Sequence, residues 1–400
     1  MPVKILQFVP ESLPSFRADV SVLFGKYLPR HGVECDVVGM ASPEPAALQG
    51  FASARRPPYR AGRLRRELDY LWLCLRALLG ARKRSCDAIQ VRDMVPIGLL
   101  ALLVARCKGL PFYYWVSYLM SEGRIERAEE KLRRGAGWRE RLVLWKGKIE
   151  QRLLYRWVLP AADHVFVQSD AMLEVMRAHG IDPARMTAVP MGVDMERLQA
   201  PAAPARPPGW ESVPLIAYLG TLDGARNLER VVDVLALVRQ HTADACLLLI
   251  GNAPTPGDEL RLRDYIAAQG LADAVRITGW LPSPEAWRLL TAAEVAISYI
   301  PRGALYDVSS PTKLLEYLAL GMPAVGNDTP DQAHVLTQSQ AGWLTASTPA
   351  AMAEAVSAIL RAPAQARQRA AAGGAYIEAA RSYRVLGAMV AERYRGLLRR

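Results

Sequence analysis

Short apolar runs rich in Val and Ile alternate along the chain with longer stretches in which apolar residues recur every three or four positions. That alternation is the mark of βαβ units stacked into a parallel sheet, since strands covered on both faces read as continuous apolar runs and the covering helices keep a polar side. Strands are predicted at 3–9, 34–38, 88–91, 112–115, 165–168 and 187–189, then at 214–219, 245–250, 275–278, 295–299 and 323–327, with helical patterns between them. Residues 198–213 read LQAPAAPARPPGWESV, have no apolar period, and form the predicted linker. The expected fold is α/β, with two doubly wound domains at 1–200 and 201–375 whose strand carboxyl ends flank a cleft. The last helical pattern, about 376–400, follows Gly373-Gly374 and is expected to cross back and complete the first domain.

Composition excludes other classes. With 51% hydrophobic and 22% charged residues over 400 positions, the chain is neither disordered nor fibrous. Its five cysteines are odd in number and include no C-x-x-C pair, against a disulfide framework or a zinc site and in favour of a reducing cytoplasm. The opening Met1-Pro-Val-Lys-Ile-Leu-Gln-Phe-Val9 reads as a buried strand and not as a signal peptide. The longest apolar run, 95–105, stops at Arg106, short of the roughly 18 residues of a spanning helix.

Charge adds a local feature. Residues 51–160 hold 24 Lys/Arg against 10 Asp/Glu, net +14, although the whole chain is only +11. No helix-turn-helix, zinc-finger, RNP or KH signature accompanies the patch, so nucleic acid is not the expected partner. Trp138, Leu142, Trp145, Ile149 and Leu153 recur at helical spacing with Arg139, Arg141, Lys146, Lys148 and Arg152 largely between them. Leu64, Leu68, Leu71, Leu75 and Leu78 repeat the pattern among Arg63, Arg65 and Arg66. Two placements are open for these apolar faces: packed into the domain core, or docked on an anionic lipid surface.

The densest chemistry is Ser309-Ser-Pro-Thr-Lys-Leu-Leu-Glu316, closed by Gly321-Met-Pro323. Ser309, Ser310 and Pro311 are expected to open a helix, whose first N–H groups at Ser310 to Thr312 then offer a phosphate site. Glu316, one turn on, is a carboxylate able to accept both hydroxyls of a ribose. A second group, Gly220-Thr-Leu-Asp-Gly-Ala-Arg226, follows a predicted strand. Arg226 is expected to enter the next helix, where the dipole disfavours a cation unless an anion is bound, and its guanidinium suits a diphosphate. Metal-dependent sugar transferases commonly use D-x-D, and no Asp here has another Asp two positions away.

In these motifs the chain resembles the retaining glycosyltransferases of family 4, with the GT-B architecture of two facing Rossmann-like domains. The resemblance rests on Val165-Phe-Val-Gln-Ser-Asp170, Gly180 to Asp194, Gly220 to Arg226, Leu249-Ile-Gly251, Val275 to Pro282, and Ser310 to Glu316 with Gly321-Met-Pro323. It implies a sugar transferase using a nucleoside diphosphate sugar, with no cofactor and no metal. Glu316 would hold the ribose; Gly220, Thr221, Arg226 and the turn Ser309, Ser310, Pro311, Thr312, Lys313 the diphosphate; and the backbone near Leu281 the base. Arg226 and Lys313 would stabilise the leaving group, and the donor phosphate would take the acceptor proton. The first loop, with Ser15, Arg17 and Asp19, is expected to present side chains to the acceptor or to the donor phosphate, and Ser117 is a further acceptor-side candidate. Asp93, which ends a predicted strand where polar side chains can face the cleft, is the catalytic candidate for orienting the acceptor hydroxyl. The acceptor implied is a lipid-linked glycan in exopolysaccharide or lipopolysaccharide synthesis, reached by a cytoplasmic protein attached to the inner membrane face. There are three departures from the family pattern: Val308 where a Glu is frequent, Thr221 with Arg226 where Arg and Lys are usual, and no His within Tyr113 to Tyr118. A nucleotide-sugar 2-epimerase of the same fold and a non-catalytic nucleotide-sugar or glycan-binding module are the alternatives.

Overall fold

A computed structural model of the chain describes residues 2–43, 50–60, 62–135, 137–198 and 203–399. The chain divides into two units, one of Met1–Met191 with Tyr383–Arg400 and one of Gly192–Ser382. The divisions fall several residues before 200 and after 376 because the chain is pinned to the second unit on both passes. Val193 and Ser382 form a parallel bridge, and the Val193 N–H donates to the Arg381 carbonyl at 2.9 Å. Of the expected linker, 199–202 lie outside the described residues. The rest packs on the second unit: Trp210 is buried and Arg206 pairs with Glu294.

The first unit holds the strands β1 (Val3–Leu13), β2 (Val33–Ala41), β3 (Ser53–Arg55), β4 (Ala88–Arg92), β5 (Phe112–Val116), β6 (His164–Val167) and β7 (Met186–Ala188). They form one parallel sheet in the order β3-β2-β1-β4-β5-β6-β7, whose direction of growth reverses between β1 and β4. Every residue of β4, β5 and β6 is buried, as strands covered on both faces must be. Alternation then sorts the side chains: Tyr113 and Trp115 join a core with Phe24, Phe166 and Tyr394, whereas Tyr114 meets Gly98 of the Val95–Lys108 helix. The helix Tyr383–Leu398 belongs to that core. Its buried Tyr394 hydroxyl donates to Gln90 Oε1 at 2.7 Å, and Gln90 Nε2 donates to Gln7 Oε1 at 3.1 Å across the β1–β4 register.

The second unit holds β8 (Leu215–Leu219), β9 (Cys246–Ile250), β10 (Val275–Ile277), β11 (Val295–Ser298), β12 (Ala324–Asn327) and β13 (Trp343–Thr345). Its parallel order, β10-β9-β8-β11-β12-β13, again reverses once, between β8 and β11. The strands β3 and β13 are absent from the sequence expectation, and Ser-Ala-Arg of β3 carries no apolar run. Among the described residues no helix is long and apolar enough to cross a membrane.

Candidate functional site

In doubly wound sheets ligands meet the strand carboxyl ends where the order reverses. In the second unit that point lies between β8 and β11, and the sequence-chosen residues gather there. Gly220 follows β8, and Arg226 ends a 3-10 turn, Gly224–Arg226. The segment from Ser309 leads into the helix Thr312–Ala319. Two contacts fix the helix to β8: the Tyr317 hydroxyl accepts from the Leu219 N–H at 2.8 Å, and Lys313 Nζ donates to the Tyr218 hydroxyl at 2.7 Å. The Lys313 ammonium also lies 4.3 Å from the Tyr218 ring centroid. Burial, with repulsion from Arg226 added, holds the Lys313 amine well below its ordinary range. Burial pushes the Tyr218 hydroxyl up to about 12, against the pull of Arg226. Arg226 itself lies 5.8 Å over the Tyr306 ring, and the Tyr306 hydroxyl donates to the Ala225 carbonyl at 3.0 Å.

Glu316 is half-buried one turn beyond Lys313. Burial pushes its carboxyl up to about 7, while Arg197 and the indole N–H of Trp287, which donates to it, pull the other way. Arg197 lies 5.7 Å over the Trp287 ring and reaches Ser283 Oγ at 3.3 Å. Trp287 sits on the helix Ser283–Thr291, which Leu281 and Pro282 precede. Neither Arg197 nor Trp287 carries a motif that sequence reading would select. The turns after β8 and β9 also interlock: a Cβ at Gly251, whose φ is +146°, would lie 2.0 Å from the Gly220 carbonyl oxygen. Only glycine fits.

Three local expectations change. Pro311 is the N-cap of Thr312–Ala319 and not part of its first turn, and no side chain caps the helix. The N–H groups of its first turn, from Thr312, are therefore the donors without intrahelical partners. Ser309 Oγ donates to the Tyr306 carbonyl at 2.6 Å and Ser310 Oγ to Asp331 Oδ2 at 2.7 Å, so both hydroxyls brace the loop. Arg226 does not enter a helix: the next one is Glu229–Val238, and Asp223 caps the 3-10 turn through the Ala225 N–H at 2.9 Å. The expected dipole conflict at Arg226 falls away. Thr221 is exposed, Val308 is buried, and its neighbour Asp307 is held by Arg302 at 2.8 Å.

In the first unit the acceptor-side residues collect around Arg92, fully buried at the end of β4. Arg92 donates to Asp19 Oδ2 at 2.6 Å and to Ser117 Oγ at 2.7 Å, and lies 3.3 Å from Asp93 and 3.6 Å from Glu11. Burial would raise the Asp19 carboxyl, but Arg92 and Arg17 hold it below its ordinary value. For Glu11 burial wins, and its carboxyl is raised. Asp93 adopts φ 53° and accepts from the Ser117 N–H at 2.8 Å and from the Ser117 hydroxyl. Asp93 and Ser117 are thus engaged with each other. Arg17 pairs with Asp19 at 3.2 Å while staying substantially exposed, and its N–H donates to Ser15 Oγ at 3.1 Å.

The apolar faces of the basic helices are divided, with Leu78 buried in the core and other positions outward. On Arg63–Gly80, Trp72 is 65% exposed, with Leu64, Leu68 and Leu71 also outward; on Trp138–Leu153, Trp138 and Trp145 are each 67% exposed. Much of each stripe faces away from the core.

Two family models match the chain: Glycosyltransferase Family 4 over residues 20–197 and Glycosyl transferases group 1 over 213–362. A GDP-mannose-dependent alpha-(1-6)-phosphatidylinositol dimannoside mannosyltransferase of Mycobacterium tuberculosis (strain ATCC 25177 / H37Ra) is 30% identical over 195 residues, 48% of each chain. The amylovoran biosynthesis glycosyltransferase AmsK of Erwinia amylovora is 25% identical over 206 residues, 49% of this chain and 48% of its own. The chain thus spans about half the length of the curated relatives it matches. The fold is similar to that of Anabaena Alr3699/HepE, solved in complex with UDP and glucose, with a TM-score of 0.69 and 13% identity over 98% of this chain and 100% of that one. With two parallel α/β units of matching strand order, and a family model on each, the chain belongs to the group 1 and family 4 glycosyltransferases of GT-B fold.

Proposed function

We propose that the chain moves a sugar from a nucleoside diphosphate sugar to a lipid-linked glycan, in polysaccharide or lipopolysaccharide synthesis at the anionic inner face of a membrane. The observation that carries this reading is Glu316 held by Trp287 one helical turn from Lys313, at the switch point of the second sheet. Glu316 accepts the ribose hydroxyls, and the backbone beside Leu281 borders the base. Arg226, Lys313 and the first-turn N–H groups of Thr312–Ala319 take the diphosphate, a task for which an uncapped helix N-terminus is suited. The UDP complex of the Anabaena protein and the phosphatidylinositol-linked substrate named for the mycobacterial one support donor and acceptor classes.

The reaction needs no cofactor and no metal ion in this reading, because fixed cations and helix N–H groups face the leaving group. The anomeric carbon–oxygen bond breaks, its electron pair goes to the leaving phosphate oxygen, and that oxygen takes the acceptor hydroxyl proton. The acceptor oxygen bonds to the same face, so configuration is retained.

The test is release of nucleoside diphosphate on adding a lipid-linked acceptor in EDTA, with the product's anomeric configuration read by NMR. A strict need for Mg²⁺ or Mn²⁺ overturns the metal-free part. Donor epimerised without diphosphate release points to the epimerase, and tight donor binding without turnover to the binding module.

A further inference from the structure

A cavity of about 360 Å³ lies within the first unit, in the size range of small-molecule sites. Pro10, Asp93 and Val116 border it, on β1, just after β4 and at the end of β5, beside the switch point of the sheet. Its walls are largely apolar and include Met40, Tyr70, Ile97, Tyr114 and Leu154. On the outer side it is bordered by Arg63 and Leu71 of one tryptophan-bearing helix and by Lys146 of the other. The cavity is therefore shared between residues of the two basic helices and residues at the strand ends.

We infer that this cavity takes the apolar chain of the lipid-linked acceptor. The inference rests on the proposed lipid-linked acceptor. A glycan in this space would leave hydroxyls unpaired against apolar walls, which is costly. A hydrocarbon chain replaces water there at a gain. The cations at the rim each have a carboxylate beside them at the same cavity, Arg63 with Glu67 at 2.9 Å and both Arg124 and Lys146 with Glu150, so the apolar walls carry the binding. The surrounding patch, net +14 over residues 51–160, supplies the complementary field. A leaflet surface fits the outward faces of Trp72 and Trp145, whereas the concave cavity fits one chain.

The probe is farnesyl phosphate below its micelle concentration, titrated calorimetrically into the full chain. One molecule is expected to bind per chain. Leu71→Trp and Met40→Trp, which fill the cavity, should each weaken it about tenfold, the worth of roughly two buried methylenes. Trp72→Ala on the outer face should leave this binding unchanged, and all three variants should keep their nucleoside diphosphate affinity. Unchanged farnesyl phosphate binding in both filled variants overturns the inference, as does inorganic phosphate binding equally well. Should both filled variants unfold, a chain-length series on the parent decides. Affinity that rises and then levels supports the cavity; affinity that never levels, or never depends on length, rejects it. One-to-one farnesyl phosphate binding without any sugar transfer would count against the proposed function alone. Transfer to a lipid-linked acceptor with no such binding would count against the cavity alone.

Discussion

Lys313 Nζ and the Tyr218 hydroxyl lie 2.7 Å apart, joining the first turn of Thr312–Ala319 to the strand beneath it. The amine is thereby placed before any anion arrives, and it is held well below the ordinary lysine range by burial and by Arg226. An arriving diphosphate supplies the opposite charge and restores affinity for the proton. Donor binding is therefore expected to take up a proton well above pH 7, where Glu316 is already ionised. Calorimetry in buffers of different ionisation enthalpy measures this uptake, and Lys313→Met should abolish it. Equal heats in all buffers for the parent would reject the placement of Lys313 at the diphosphate.

Glu316→Gln is expected to act in opposite directions on binding and stability. Loss of hydrogen bonds to a charged group should weaken nucleoside diphosphate binding by about 1.5–3 kcal/mol. The folded-state value near 7 lies above the ordinary 4.5, so the folded chain binds the proton more tightly than the unfolded one. Its contribution is fully present below pH 4.5 and is lost as pH rises through 7. Gln stays neutral throughout, so the variant's thermal midpoint should gain on the parent's between pH 5 and pH 8. A midpoint difference independent of pH would contradict the buried-carboxyl account.

Arg226→Ala should lower kcat more than donor affinity, because charge on the leaving phosphate grows toward the transition state. The variant loses its place over Tyr306 but no core contact, so folding should persist. Equal losses in kcat and in affinity would reduce Arg226 to a binding residue.

Tyr394→Phe should destabilise the first unit by about 1–3 kcal/mol, since Gln90 Oε1 loses its 2.7 Å donor in a buried place. Urea unfolding followed by tryptophan fluorescence reads the change. Donor affinity, set in the second unit, should stay as in the parent.

Replacing Arg139, Arg141, Lys146 and Lys148 with Gln should reduce binding to anionic vesicles and leave binding to neutral vesicles nearly unchanged. Tryptophan burial does not depend on these charges. Cosedimentation with the two vesicle types measures both. Equal anionic binding by parent and variant would return the patch to an ordinary solvated surface.

The strands were legible wherever burial on both faces demands an unbroken apolar run, as in Cys-Leu-Leu-Leu-Ile of β9. The edge β3 was not, because Ser-Ala-Arg bears none of that signature. Glu316, Lys313 and Arg226 were legible as chemistry because each stands in a dense local motif. Trp287 and Arg197 were not: they reach Glu316 only through folding, from distant positions whose residue types are ordinary on helices. Arg226 was misplaced onto a helix because Gly-Ala-Arg followed by Asn-Leu-Glu hides the left-handed Asn227, φ 49°, that separates the two turns. Asp93 shows the same limit from the other side. Its position after a strand suggested a group that orients the acceptor hydroxyl, and only the folded chain brings Ser117 to engage it.

The Tyr383–Leu398 helix has a consequence for the order in which the protein is made. Domains generally fold as units during synthesis, earliest first. Here Phe24, Trp115 and Phe166 share their core with Tyr383, Leu386, Val390 and Tyr394, which leave the ribosome only after all of Gly192–Ser382. The unit begun first is therefore completed last. While the second sheet forms, the nascent first sheet waits with one aromatic seam uncovered, and this interval is when the growing chain most needs shelter from its neighbours.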